Sequence, residues 1–209
     1  MSLEAIYHQF IHDIHDTSPL EYVAVFAGIG SVWCSRIENL WVYPLGLINT
    51  IIYIYLSLDR FLLGEASVNF YYTVMSVYGW ILWTKKDSHQ HHIVVVAFST
   101  ARQWLYQLLF FSSFYIAIFV SLTLLKKGFA TGAIPWADAF ASATAYTGMW
   151  LMAKKKVESW YWWIATNIAS IPLYFVKHLV FTSVYYVVLL IIAISGLIEW
   201  MRRANKTLA

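Results

Sequence analysis

Apolar residues in this chain gather in runs, interrupted by short charged knots: SRIEN, DRFLLGEAS, the TKKDSHQHH region, KKGFATGAIPW, KKKVES and KHLVFT. Each run approaches the ~20 residues needed to cross about 30 Å of hydrocarbon. The breaks predict membrane helices over 20–34, 40–58, 68–83, 105–125, 138–153, 160–176 and 183–200. Several are short, so they stand nearly upright or pack in a thin bundle. Ahead of them, His8, His12 and His15 are spaced for one helical face, which predicts an amphipathic surface helix. The first nineteen residues hold acids and histidines where a cleavable signal would have a basic start and an apolar run. The first membrane helix is therefore expected to direct insertion.

The chain also resembles itself. Glu21 and Asp138, Trp33 and Trp150, Gly79 and Gly196, Trp83 and Trp200, and the pairs Lys85, Lys86 and Arg202, Arg203 are each 117 positions apart, with Asn49 and Asn167 at 118. An ordered series through three successive helices predicts an internal duplication with a three-helix unit. Two odd-numbered units joined directly would lie inverted, whereas one extra helix between them makes them parallel. The segment Leu105 to Leu125 has no counterpart and supplies that helix. The expected architecture is an all-α polytopic membrane protein of seven transmembrane helices in a 3+1+3 arrangement, with substrate between the halves near the midplane. The divisions are an N-terminal segment 1–19, a first bundle 20–83, a loop and linker helix 84–137, a second bundle 138–200 and a tail 201–209.

Composition agrees with that frame, since 60% of residues are hydrophobic and 12% charged, too little polar material to cover a water-facing surface. A net charge of +3 raises nucleic acid as a partner, but the basic residues sit beside helix ends, where they orient a membrane protein. On the N-terminal side lie Arg60, Lys126, Lys127 and Lys177; the other ten of the 14 lysines and arginines lie opposite. This predicts an inner-membrane protein with its N-terminus outside and its C-terminus in the cytoplasm. The single Cys34 excludes an internal disulfide and reads as a packing residue.

Polar side chains inside a bilayer are costly unless they face the bundle or a wet cavity. Asn49 and Tyr53 share a helical face. Trp160, Trp163 and Asn167 point the same way on the sixth helix, and Asn69, Tyr72, Ser76, Trp80 and Trp83 form a polar, aromatic stripe on the third. Amides that accept and donate, beside indoles that stack, describe a site for a small, flat, partly polar ligand. Structural readings stand beside these: Trp83, Trp200, Trp41 and Trp104 as interfacial anchors, Asn49 and Asn167 as interhelical glue, and Gly79 and Gly196 as points of close helix contact. His89, His91 and His92 lack the ligands of a metal site beyond Asp87. Pro44 and Pro172, each five residues from an asparagine, are expected to break their helices and leave backbone groups for a cavity. No cofactor is expected.

The runs GLINTIIYIY, NFYYTVMSVYGWILW, KKKVESW, WYWWIATN and YYVVLLIIAISGLIEW resemble the nicotinamide riboside transporter family (PnuC), from Leu20 to Arg203. The most specific element is W-x-x-W-x-x-x-N/D, met by Trp160, Trp163 and Asn167. The resemblance implies a seven-helix fold related to the SWEET sugar carriers, a homotrimer, and facilitated diffusion made one-way by a cytoplasmic kinase that traps the substrate. Nicotinamide riboside is the expected substrate, with thiamine or riboflavin as alternatives carried by the same superfamily. No acid lies deep in a predicted helix, so no proton relay is expected. A membrane-embedded enzyme would need nucleophile, base or metal ligands converging in the bundle, and none appears in the predicted spans. A structural protein would need no ligand cavity.

Overall fold

Ser18 accepts a hydrogen bond from the Glu21 amide at 3.2 Å and Pro19 follows at the first helical position, a cap and a ring that together start a helix. In the computed structural model, which describes residues 3–59, 63–88, 90–125, 132–177 and 179–208, that helix is α2 (Pro19–Arg36). It is preceded by α1 (Leu3–Asp16) and followed by α3 (Val42–Asp59), α4 (Leu63–Thr84), α5 (Ala101–Leu125), α6 (Pro135–Ala153), α7 (Ser159–Val176) and α8 (Val180–Leu208). Three of these, α3, α5 and α8, are long and apolar enough by composition alone to cross a membrane. The chain is a multi-pass, all-helical membrane protein.

The histidine-spaced N-terminal segment is helical. Phe10 lies 6.2 Å from Phe181, the Phe181 amide donates to Asp13 Oδ2, and Tyr22 donates to the Ile14 carbonyl. These contacts hold α1 across the starts of α2 and α8, while His12 and Asp16 face outward. The helices overrun their predicted bounds mainly in α4, which starts earlier, and in α8, which continues through the basic tail because Arg203 pairs with Glu199 one turn back. Neither proline breaks its helix. Pro44 falls in the first turn of α3, where its missing N–H would have had no partner anyway. Pro172 lies four residues before the end of α7, so it removes one bond and the helix runs on. Arg60, Lys126, Lys127 and His89 lie outside the described residues.

Helix α3 packs between α2 and α4, α7 packs between α6 and α8, and α5 leans on α6. The two groups meet through α2 against α8 and α4 against α6. The spacing of 117 recurs at atomic detail. The bounds of α7 are those of α3 shifted by that number, and the C-caps Ile37 and Lys154 have φ of −93° alike. Glu38 and Lys155 both sit in the left-handed region, at φ 57° and 50°. The Asn39 amide reaches back to the Cys34 carbonyl as the Lys156 amide does to Leu151, a shared helix-ending motif. This register pairs Asn49 with Thr166, not with Asn167. The one-residue discrepancy at the asparagines is therefore not part of the repeat.

Where α2, α4, α6 and α8 end, residues touch their own counterparts. The Ser35 hydroxyl contacts Met152 Sδ at 2.8 Å, Lys155 Nζ lies 2.9 Å from Glu38, and the Trp83 and Trp200 rings are 6.2 Å apart. Trp83 Nε1 donates to the Ala153 carbonyl, and Trp200 Nε1 to the carbonyls of Ser35 and Arg36. These indoles are 1% and 0% exposed, so they are core and not the anchoring belt that their position suggested; burying an indole is affordable because each N–H finds a carbonyl. Anchoring suits Trp33 and Trp150 instead, over which lie Arg36 and Lys154 at 4.6 and 4.3 Å.

Glycine makes the closest approaches possible. A Cβ on Gly79 would fall 2.6 Å from the Tyr43 ring, and one on Gly196 would fall 2.6 Å from the Trp160 ring. Both rings are buried and cannot retreat. Replacing Gly196 with alanine is expected to destabilise the fold by about 1–3 kcal/mol through overpacking, read as a lower melting temperature of the detergent-solubilised protein. An unchanged temperature would contradict this packing.

Candidate functional site

Helix α5 is held by a chain of buried polar contacts. The Ser99 amide and hydroxyl donate to the two Glu158 oxygens, each at 2.7 Å; Gln107 Nε2 donates to Ser99 Oγ; Trp162 Nε1 donates to Gln107 Oε1 at 3.0 Å. Gln107 and Glu158 are 0% and 2% exposed, and the network satisfies them, as burial requires. Backbone bonds between Ala97 and the 155–157 strand-like turn lock the loop before α5 to the loop before α7. Together these contacts fix α5 and α7 beside α6.

Along the seam of α4 and α6, aromatic rings converge. Tyr72 lies 6.2 Å from Trp163 and 6.2 Å from Tyr146, the latter edge-on at 89°. Tyr71 lies 4.3 Å from Tyr146 and donates to its carbonyl at 3.0 Å, and Phe114 of α5 closes the group. Tyr185 and Tyr186 of α8 are close enough to Tyr72 to interact with it electrostatically, and Tyr53 of α3 to interact with Tyr185. Trp163 lies against Gly148, where a Cβ would fall 3.2–3.3 Å from the indole. Asn167, one turn beyond Trp163, is 2% exposed and its Oδ1 has no partner among the described residues. A buried acceptor left open costs free energy until a donor fills it.

The structure brings together Tyr72 and Trp163, with Asn167 one turn on and Tyr53 reaching the same tyrosines. Asn49 is tied down: its Nδ2 donates to the Ala24 carbonyl at 2.7 Å, and it crowds Gly28 together with the Tyr185 hydroxyl. It is a helix-joining residue at the edge of the seam. Asn69 is buried nearby on α4, its carbonyl accepting from Thr73, which also donates to Thr50. Three expected residues lie elsewhere. Ser76 packs against Gly46 inside the first group. Trp80 is 38% exposed and stacks on the outer side of Tyr43, because Tyr43 already fills the space against Gly79. Trp160 is fully buried against Gly196 and Trp200, so it belongs to the end core and not to the seam.

Sequence reading missed Tyr71, Tyr146, Tyr185 and Tyr186. At the 117 register their counterparts are Val188, Ile29, Val68 and Asn69, so the seam is not symmetric, but most positions differ across the repeat and the difference alone did not mark these four. The named seam side chains are aromatic and amide groups, with no carboxylate, histidine or lysine among them. Among the described residues no three His, Cys, Asp or Glu side chains gather to hold a metal, and His91 lies beside Asp87 in the loop after α4. Apolar grooves of about 160 and 290 Å³ lie at the outer edges of α2, α8 and α1, away from this seam.

Residues 18–202 match the nicotinamide mononucleotide transporter family. The chain is 22% identical to the nicotinamide riboside transporter PnuC of Escherichia coli, over 92% of this chain and 89% of that one. It is 23% identical to the riboflavin/roseoflavin transporter RibM of Streptomyces davaonensis, over 81% and 78%. Its fold is similar to a crystal structure of the vitamin B3 transporter PnuC, with a TM-score of 0.68 and 22% identity, covering 98% of this chain and 90% of that one.

Replacing Trp163 or Asn167 by alanine is expected to weaken ligand binding by about 10- to 100-fold, the loss of one stacking ring or one buried hydrogen bond, while the protein stays folded. Titration of the purified variants checks this. Unchanged affinity in both would remove the two residues from the site.

Proposed function

The chain belongs to the nicotinamide mononucleotide transporter family, and on that premise we propose that it takes up nicotinamide riboside across the cytoplasmic membrane by facilitated diffusion. The observation that carries the substrate is the uncharged aromatic seam of Tyr72, Tyr146 and Trp163 beside the open Asn167 acceptor. A pyridinium ring carries a fixed positive charge and is attracted to aromatic faces. The amide suits a carboxamide or ribose hydroxyl, which supplies the donor that Asn167 Oδ1 lacks. The proposed ligand set is Tyr53, Asn69, Tyr72, Trp163 and Asn167, joined by Tyr146, Tyr185 and Tyr186, with Asn49 fixing the helix behind them.

Architecture and mechanism follow from the repeat. We read α2–α4 and α6–α8 as parallel three-helix halves bridged by α5, seven crossings in a 3+1+3 order. Support comes from residues 117 apart that touch each other at one end of the bundle, since inverted copies would carry those helix ends to opposite faces. The halves rock about the seam to expose it alternately. Lysines and arginines concentrate at the end where α2, α4, α6 and α8 finish, which supports a cytoplasmic C-terminus and an N-terminus outside. No carboxylate, histidine or lysine is among the seam side chains, which supports passive transport; trapping by a cytoplasmic kinase is proposed from the resemblance to the family. A homotrimer is proposed from the resemblance to the family, and the exposed apolar face of α5 (Leu105, Leu108, Leu109, Ile116) is the surface available to neighbouring copies or lipid.

Riboflavin is the second reading, favoured by the similarity to RibM; its flat ring would stack equally but carries no charge to reward the rings. Thiamine shares the fixed cation. Proteoliposomes loaded with a nicotinamide riboside kinase and ATP are expected to accumulate labelled nicotinamide riboside, and empty ones only to equilibrate. Entry of thiamine or riboflavin alone would overturn the substrate. Accumulation without kinase would overturn passive transport.

A further inference from the structure

Glu38 and Lys155 occupy the same place in the two loops that end α2 and α6, each with left-handed backbone and each just after a C-cap of the same geometry. Their side chains cross from one half to the other and meet at 2.9 Å. The charge is arranged on one side only. Glu38 Oε1 also takes Arg203 Nη1 at 2.7 Å, and Arg203 Nε is held by Glu199. The counterparts of Arg203 and Glu199 at the 117 register are Lys86 and Leu82, and the Lys86 backbone pairs with that of His92 in its own loop. Lys155 lies over the Trp83 ring at 4.6 Å and is 7% exposed.

Burial pushes the Glu38 carboxyl upward, but hydrogen bonds and charge from Lys155 and Arg203 outweigh it and hold the group below its usual range. It stays a carboxylate with both oxygens occupied. An ion pair of this kind sits near break-even, because its charges regain water when they part. The pair is therefore a contact at this end whose parting is offset by water.

Resting on the transport reading above, we infer that Glu38 and Lys155 are a reversible ionic latch between the two halves, which parts each time the seam opens toward the end where α2 and α6 finish. The residue that reports it is already present. Cys34, the one cysteine of the chain, lies in the last turn of α2, is partly exposed, and packs against the buried cluster that holds Trp83 and Trp200.

The test is the rate at which N-ethylmaleimide labels Cys34 in the full-length, detergent-solubilised protein with no vitamin added. E38Q/K155Q leaves neither member of the pair charged, and Arg203 keeps Glu199; its labelling is expected to be faster by on the order of tenfold. E38Q alone, which preserves the packing of Lys155 on Trp83, is expected to accelerate labelling likewise. K155R keeps the charge and is expected to label like the unmodified protein. K177M breaks the Lys177–Asp138 pair at the opposite end and is expected to leave the rate unchanged. Unaltered labelling in both E38Q variants, or equal acceleration in K177M, would overturn the latch. Because no substrate is present, a wrong vitamin assignment would leave this result standing.

Discussion

The fold depends on how two groups of helices, α2–α4 and α6–α8, close against each other at a single end. Trp83 and Trp200 are counterparts that lie side by side, and each sends its indole N–H into the other half, to the carbonyls of Ala153 and of Ser35 and Arg36. An indole is large enough to fill the gap between helix ends and polar enough to satisfy a carbonyl exposed where a helix stops. With that end closed, α2 meets α8 and α4 meets α6. The aromatic seam then forms on the α4 side, where α5 leans against α6.

The proposed seam is asymmetric. At the packed end some counterparts keep their character: Gly79 and Gly196 admit Tyr43 and Trp160, and the two loops repeat their hydrogen bonds residue for residue. Where a ligand would sit, they diverge. Tyr146 replaces an isoleucine, Tyr186 an asparagine and Tyr185 a valine. A flat molecule with one charged ring and one polar end is matched by such an asymmetric lining, which suits the proposed function.

Hydropathy runs and the 117 spacing made the helices legible, because bilayer thickness constrains length and duplication constrains register. The site was read less well. Periodicity placed Trp80 and Trp160 on the same faces as Tyr72 and Trp163, but a helical face says nothing about which neighbour fills it. Tyr43 occupies the space beside Gly79 and leaves Trp80 outside, and Gly196 draws Trp160 into the end core. Tyr146 stood among small residues and had no aromatic counterpart, so only the packing of α4 on α6 exposed its role. The same register that revealed the repeat also corrects the pairing of Asn49 with Asn167.

The central claim is that the seam binds a small flat cation with a polar arm. The melting temperature of the purified protein across a panel of vitamins tests it most directly, since a ligand that binds the native state stabilises it in proportion to ln(1 + [L]/Kd). Nicotinamide riboside is expected to raise the temperature in a concentration-dependent way, and more than riboflavin does. No shift with nicotinamide riboside alongside a clear shift with riboflavin would contradict the account.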